Sequence, residues 1–326
     1  MSSVLAKRSR AEFMTSGCAS ESIEVQVSRK YKKTFTITLG DQAENHVGMQ
    51  KIGSMADKGF TLEDLEVAKA WFESRGVGCE LMNLKTACGL EHSLAEKTKD
   101  AFVLIARGAL DIILSDDEKE VGDKSEAATS IDESVTRHDV STAVPVTPRP
   151  GGTVADNFFR EQDCLEKDKR AFMYGRVVDK HARHNLCFGE ESQEPEYEKK
   201  KGRVIAYREV PLLDKLRRKI PDVIGDIGDN LVAEGNYYYD LAKCGIGYHG
   251  DTERQKVVGV RVGATLPLCF AWFHKSEKVQ SSRRFKVDIG HGDVYFFSEK
   301  ATGNDWKKKT ILTLRHAAGA SKFIDF

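Results

Sequence analysis

The spacing of hydrophobic residues in the first third of the chain predicts both strands and helices. Apolar and polar residues alternate in the stretch TFTITLG at 34–40, which predicts a half-buried strand. Apolar residues recur at helical spacing at 61–72 and near helical spacing at 41–59. Two short apolar runs that follow predict further strands. We therefore expect residues 31–114 to form a small N-terminal α/β module of their own.

The residues on either side of this module lack a hydrophobic pattern, and such a pattern returns in the second half of the chain. Residues 1–30 are polar and predict a disordered tail. Residues 115–155 are acidic and Pro-rich and contain few aromatic residues, which predicts a flexible linker. From 156–326, strand-like segments alternate with turns, and 210–226 has the apolar face of a packing helix. The fold class that these patterns predict is α+β.

The composition is that of a globular protein, with 40% hydrophobic and 31% charged residues and a formal net charge of zero. A neutral chain permits DNA or RNA as a partner without requiring either. Its seven cysteines form no CxxC pair, which predicts reduced thiols and no disulfide-linked partner. The sequence contains neither a long apolar run nor a secretory signal. We expect an intracellular protein, cytoplasmic or nuclear, that is neither secreted nor bound to a membrane.

The richest chemistry lies in the stretch NYYYDLAKCGIGYHGDTER at 236–254. His249 and Asp251 are two positions apart, and on a strand such residues point to the same face. An imidazole nitrogen and a carboxylate oxygen so placed can hold two adjacent positions of one metal ion. Two histidines and one carboxylate form the facial triad of non-haem Fe(II) oxygenases. From the spacing alone, a surface turn in which His249 and Asp251 share a hydrogen bond is the alternative.

Over a longer span, roughly residues 170–320, the sequence resembles the AlkB family of Fe(II)/2-oxoglutarate dioxygenases. In that family Asn-x-Tyr runs into Ile-Gly-x-His-x-Asp-x-Glu-Arg. The residues of this chain at the matching positions are Tyr239, Ile246, Gly247, His249, Asp251, Glu253 and Arg254. The resemblance implies that residues 156–326 fold as a double-stranded β-helix, or jelly roll, with flanking helices. It also implies the use of Fe(II), 2-oxoglutarate as cosubstrate and O2.

The same resemblance implies roles for individual residues. His249 and Asp251 would be the catalytic metal ligands. The 2-oxoglutarate would be bound by Arg315, Lys309 and Tyr239, and alternation along a strand puts Lys309 and Arg315 on one face. A planar guanidinium suits this role because it pairs with a carboxylate through two hydrogen bonds. The expected contacts to the substrate come from Glu253, Arg254, Lys180 and Arg183.

The third metal ligand is the gap in this resemblance. His316 is the nearest candidate, but as the neighbour of Arg315 it should point to the opposite face of a regular strand. Both could face the metal only with a β-bulge. Two alternatives stay open: either His316 is the ligand and Lys309 or another cation binds the cosubstrate, or Asp305 or Glu299 completes the site.

Three functions are compatible with these residues. The first is a dioxygenase that hydroxylates or demethylates a base in DNA or RNA. The second uses the same chemistry on a protein side chain or a small metabolite. The third is a jelly roll that has lost one iron ligand and only binds a partner.

Overall fold

The computed structural model describes residues 30–115 and 152–326. The expected tail at 1–30, apart from its last residue, and the expected linker at 115–155, apart from its two ends, lie outside these residues. The strands of the described ranges are β1 Thr34–Gly40, β2 Gln42–Glu44, β3 Lys51–Gly53, β4 Cys79–Asn83, β5 Phe102–Ala106, β6 Arg170–Met173, β7 Arg176–Asp179, β8 His184–Gly189, β9 Val204–Ala206, β10 Val232–Tyr238, β11 Gly245–His249, β12 Val257–Gly263, β13 Leu266–His274, β14 Glu277–Lys278, β15 Phe285–Ile289, β16 Val294–Phe297 and β17 Thr313–Gly319. The helices are α1 Leu62–Glu73, α2 Leu84–Ala87, α3 His92–Ala95, α4 Ala109–Ser115, α5 Val154–Cys164, α6 Pro211–Ile224, α7 Glu299–Thr302 and α8 Ser321–Ile324.

Two sheets form the centre of the structure. The large sheet has the strand order β4-β5-β16-β12-β1-β10-β8-β9, and its pairs are antiparallel except β8 with β9. The small sheet has the order β11-β17-β13-β14, with β15 also paired to β13. Two hairpins, β2-β3 and β6-β7, lie outside these sheets. The described chain is therefore a mixed α+β structure, as the sequence predicted.

Three strands of residues 31–114, β1, β4 and β5, belong to the large sheet, which departs from the expectation of a separate N-terminal module. Strand β1 lies between β10 and β12 and pairs with both, and β5 pairs with β16. The alternation at 34–40 identified a strand, but alternation does not reveal which strands will be its neighbours. The expected helix at 41–59 is also wrong, because this stretch forms the hairpin of β2 and β3.

A helical layer covers the outer face of the large sheet. Alternation along β1 directs Phe35, Ile37 and Leu39 into this layer. The expected packing helix at 210–226 is confirmed as α6, which buries its apolar face in the same core. Its N-terminus is held by Glu161 of α5, whose carboxylate accepts hydrogen bonds from the backbone N–H groups of Leu212 and Leu213.

The inner face of the large sheet packs against the small sheet. At one end the space between them is filled by apolar side chains, among them Phe297 of the large sheet and Phe270, Trp272 and Leu314 of the small sheet. At the other end the large sheet presents polar side chains in one row across four strands. The paired positions of that row are Arg261, Thr36, Asn236 and Asn185.

None of the helices in the described ranges is long and apolar enough to cross a membrane. The six cysteines that lie in these ranges are all free thiols.

Candidate metal centre

The structure brings His249, Asp251 and His316 together between the two sheets. Their ligand atoms all lie within 4.8 Å of one another. The Nε2 atoms of both histidines are 3.6 Å from the same carboxylate oxygen, Oδ1 of Asp251. The two imidazole rings have centroids 4.5 Å apart. Two imidazoles and one carboxylate converging on one point form the donor set of a facial triad.

A β-bulge in β11 places both histidines on the same face. Strands β11 and β17 pair Ile246 with Ala318 and His249 with His316, so that three residues of β11 span two of β17. In a regular strand Ile246 and His249 would point to opposite faces. With the bulge, all four side chains line one cavity. The bulge lies in β11, whereas a bulge that let both Arg315 and His316 face the metal would have to lie in β17, which is regular.

Close packing requires glycine at position 250, between His249 and Asp251. A Cβ atom on Gly250 would lie 2.0 Å from the carbonyl oxygen of Gly303. The same approach lets the backbone N–H of Asp251 donate to the carbonyl of Thr302 at 2.9 Å. The turn after α7 thus fixes the backbone of Asp251, and any side chain at position 250 would displace it.

His249 is prepared to act as a neutral ligand. The Nδ1 atom of His249 is 2.8 Å from the carbonyl oxygen of Gly247, which can only accept, so Nδ1 carries the proton and Nε2 presents a lone pair. Burial, reinforced by the neighbouring His316, lowers the pKa of His249 to about 3. At neutral pH the imidazole of His249 is therefore uncharged, as metal binding requires.

The candidate carboxylate ligand belongs to a buried ion-pair network. Burial alone would raise the pKa of Asp251, but Arg254 and His316 outweigh it and hold this pKa well below its usual range. Arg254 is buried, with Nε 3.7 Å from Oδ2 of Asp251. Its Nη2 donates to Glu234 and to Glu253, each at 2.7 Å. Arg254 therefore stabilises the ionised form of Asp251 and fixes its orientation.

A cavity of about 390 Å³ opens beside these three residues. Arg261, which is 1% exposed, lines this cavity, and its Nε and Nη1 atoms have no hydrogen-bond partner among the described residues. The hydroxyl of Thr36, its neighbour in register on β1, is also without a partner there. A buried guanidinium without an anion is costly, so this pair marks a site for an anionic ligand.

The three residues expected to bind 2-oxoglutarate do not line the cavity. Arg315 points to the other face of β17, where its guanidinium stacks on Phe273 and Trp306 at 4.1 and 5.1 Å from the ring centroids. Lys309 is exposed. The hydroxyl of Tyr239 donates to the backbone carbonyl of His181 on the outer side of the large sheet. Arg315 points away from the cavity because a regular β17 can present only one of two neighbouring residues to it, and that residue is His316.

Some of the other residues predicted for the site line the cavity, and the rest bond to residues around it. Arg183 and Glu253 line the cavity, and Arg183 donates from Nε to Oδ1 of Asn236 at 2.6 Å. Lys180 is buried and donates to the side chain of Asn45. The alternative third ligands are engaged elsewhere: Asp305 accepts from Lys300, and Glu299 accepts from the backbone of Gly59.

Several cavity residues were not singled out from the sequence. Thr36 and Thr38 are the polar positions that alternate with the apolar ones of β1, and Asn236 and Asn185 are polar positions of β10 and β8. Arg261 had the clearest signal, since it is the one charged residue in the apolar strand VVGVRVG. A charge at an inward position of a buried strand indicates a ligand or a buried partner.

The fold and the site together define a mixed α+β protein with a histidine- and carboxylate-lined cavity between two sheets. No family model matches the chain. A protein of Acanthamoeba polyphaga mimivirus, named "Uncharacterized protein R156", is 42% identical over 293 residues, which cover 90% of this chain and 98% of the viral protein. The chain belongs to the same family as this mimivirus protein.

Proposed function

We propose that the protein is an Fe(II)/2-oxoglutarate-dependent dioxygenase that oxidises a base in nucleic acid. The single observation that carries the proposal is the convergence of His249, Asp251 and His316 at one end of a cavity. Fe(II) is the ion that this donor set suits, because two imidazoles and one carboxylate leave positions open for a cosubstrate and O2. The alternative of a binding module without catalysis depended on a missing third ligand, and the position of His316 supports it as a candidate for that ligand.

The strand order supports a double-stranded β-helix that is closed by the N-terminal strand. Four strands of the large sheet, β10, β1, β12 and β16, face the small-sheet strands β11, β17, β13 and β15. Strands β10 to β13 alternate between the sheets, β14 and β15 follow β13 in the small sheet, and β16 and β17 alternate again. Strand β1 fills the remaining place between β10 and β12. Strand β17 lies in the small sheet between β11 and β13. We therefore assign a circularly permuted arrangement of this fold.

Arg261 is our candidate for the group that binds the cosubstrate. Its guanidinium is buried in the cavity with two nitrogen atoms unpaired among the described residues, and the hydroxyl of Thr36 beside it is unpaired there too. A guanidinium pairs with a carboxylate through two parallel hydrogen bonds. Because β1 occupies the closing position and carries threonines at its inward positions, the cation comes from the next strand, β12. This is the alternative in which a cation other than Lys309 takes the cosubstrate.

The other residues that line the cavity favour a flat substrate with one polar edge. Asn236 and Asn185 offer amide groups, and Arg183 stands beside them. Val257 and Leu268 provide apolar contacts. Asn side chains hydrogen-bond the edges of bases, while the faces of a base require apolar contact. A nucleobase fits this combination better than an aliphatic side chain.

Each group of the site has a role in the proposed reaction. Bound Fe(II) with 2-oxoglutarate supplies the oxidation of a C–H bond by O2. His249 and His316 hold the ion as neutral donors, and Asp251 supplies a charge that Arg254 keeps ionised. Arg261 orients the cosubstrate by its far carboxylate. His316 is buried and His249 and Asp251 are partly buried, which limits the access of bulk water to the reacting carbon.

The test is turnover with a defined substrate. The full-length protein is incubated with Fe(II), 2-oxoglutarate and O2, with and without a single-stranded oligonucleotide that carries N-methylated bases. We expect succinate formation that the oligonucleotide stimulates, with release of formaldehyde. Succinate without stimulation by the oligonucleotide would direct the proposal to a protein or metabolite substrate. Absence of succinate under all conditions would contradict the dioxygenase.

A further inference from the structure

An array of aromatic side chains lies on the face of the large sheet opposite the cavity. Tyr237 of β10 and His184 of β8 are paired in register, and they point away from the cavity residues Asn236 and Asn185. The rings of His184 and Tyr239 stack with centroids 4.6 Å apart and 24° between their planes. The ring of Tyr237 lies 6.0 Å from that of His184. We call Tyr237, His184 and Tyr239 the aromatic platform.

The platform is held in place and is open to solvent at one end. The ring of Tyr237 stacks on Phe35 behind it, at 4.7 Å and 19°. The hydroxyl of Tyr239 donates to the backbone carbonyl of His181 at 2.8 Å, which fixes the orientation of the ring. Tyr239 is nevertheless 37% exposed. A fixed and exposed aromatic face is suited to stacking, because little side-chain entropy is lost when a ligand binds.

Basic side chains surround the platform. Lys167 and Lys33 lie 5.2 and 5.8 Å from the centre of the Tyr237 ring. Burial lowers the pKa of His184, and the charges of Lys169, Lys180, Lys167 and His181 lower it further. The nearby acid Asp163 forms an ion pair with Lys33. The surroundings of His184 therefore have a positive potential, which favours an anionic partner.

The platform and the cavity meet at the start of β8. Arg183 lines the cavity and donates to Asn236, and the next residue, His184, belongs to the platform. Because these two neighbours point to opposite faces, a linear ligand that leaves the cavity past Arg183 has to pass around the start of β8 to reach the platform. Stacking faces flanked by cations are the combination that binds single-stranded nucleic acid without regard to sequence.

We propose that the aromatic platform binds the single-stranded nucleic acid next to the base held in the cavity. A neighbouring base stacks on Tyr239, and Lys169 and Lys167 contact the phosphates. An acidic peptide would use the lysines but would gain nothing from the stacking faces. This inference rests on the proposed function, since it extends the same substrate beyond the cavity.

The test measures binding of a fluorescein-labelled ten-nucleotide oligo-dT by anisotropy, with full-length protein in EDTA so that no metal is present. Tyr239→Leu removes the stacking face, and we expect the affinity to fall about tenfold. Tyr239→Phe keeps the ring and should bind within about twofold of wild type. Lys169→Gln should lower the slope of log K against log salt by about one, whereas Lys286→Gln, on the small sheet, should not change it.

The outcomes separate this inference from the proposed function. If Tyr239→Leu binds the oligonucleotide as wild type does, or if polyglutamate of equal charge competes as well as oligo-dT, the inference is overturned. Succinate formation on an N-methylated mononucleoside does not involve the platform and should be the same in wild type and Tyr239→Leu. Oligonucleotide binding that depends on Tyr239 in a protein that makes no succinate would support the platform and contradict the dioxygenase.

Discussion

Among the described residues, the two buried arginines near the candidate metal centre differ in their partners. Arg261 is buried with two nitrogen atoms unpaired, while Arg254, a few residues earlier, has three carboxylates around it. Arg254 is a cation paired within the protein, whereas Arg261 is our candidate for binding an anionic ligand. Arg254 stabilises the folded protein around Asp251, whereas Arg261 destabilises it until an anion arrives.

Arg261→Met should therefore separate stability from binding. We expect the variant without ligands to be as stable as wild type or more stable, because an unpaired buried charge is replaced by an apolar side chain of similar length. Binding of 2-oxoglutarate to the Mn(II)-loaded protein, measured by calorimetry, should weaken by about 100-fold, which corresponds to ~2.7 kcal/mol for a charge-assisted pair.

Arg315→Met is the matched control, since Arg315 is also buried but points away from the cavity. It should bind 2-oxoglutarate as wild type does and lose stability, because its stacking on Phe273 and Trp306 is removed. The opposite pattern, with binding lost in Arg315→Met and kept in Arg261→Met, would restore the assignment made from the sequence.

For single residues, the sequence predicted which candidate metal ligands come together better than it predicted which residues line the cavity around them. His249, Asp251 and His316 lie together because a two-residue spacing on a strand fixes the direction of two side chains, and the bulge in β11 admits the third. Arg315 and Tyr239 were assigned to the wrong face. Whether a side chain of a strand points into the cavity depends on the register and on bulges. Both are determined by pairing with strands that are distant in sequence.

Individual elements were predicted where their own periodicity suffices. Helix α6 and strand β1 follow from local pattern, and Thr61 caps α1 in a capping box with Asp64. The near-helical spacing of the few apolar residues at 41–59 arises by chance, so it predicts a helix where the chain forms the hairpin of β2 and β3. What local pattern cannot predict is the place of β1 in the large sheet, because its partners lie about 200 residues later.

The attachment of α6 to α5 should depend on pH. Burial raises the pKa of Glu161 to about 7 from its ordinary value of 4.5. Between these two values the unfolded chain has lost the proton that the folded protein retains, so the free energy of unfolding should fall as pH rises through this range. The fall due to Glu161 is at most about 3 kcal/mol.

Urea unfolding of wild type and Glu161→Gln at pH 5 and pH 8 measures this effect. The loss of stability between the two pH values should be smaller in the variant, because glutamine does not titrate. Glu198→Gln, at an exposed glutamate, should lose as much as wild type. Equal losses in wild type and Glu161→Gln would show that the carboxylate is ionised throughout.

The whole molecule is one structure made from two stretches of chain. Residues 30–115 supply β1, β4 and β5 to the large sheet, and α1 and α4 pack on α6 from the second stretch. Strand β1 contributes both to the helix-covered core and to the cavity, through Phe35 on one face and Thr36 on the other. Neither stretch can bury its apolar surface without the other.

Cleavage between the two stretches should therefore leave a bound pair of fragments. A specific protease site inserted between residues 130 and 131 allows the cut in the folded protein. We expect the fragments to elute together in size-exclusion chromatography and to retain the circular dichroism of the intact chain. Each fragment expressed alone should lack a cooperative unfolding transition. A cooperatively folded fragment 152–326 would contradict the closing role of β1.

The most direct test of the metal centre is anaerobic titration of the full-length protein with Fe(II) followed by 2-oxoglutarate. We predict a weak visible charge-transfer band in wild type and its loss in Asp251→Ala and in His316→Ala, with both variants still folded by circular dichroism. Asp305→Ala, in which the alternative third ligand is removed, should keep the band. A wild-type protein that binds no Fe(II) and develops no band would contradict the account.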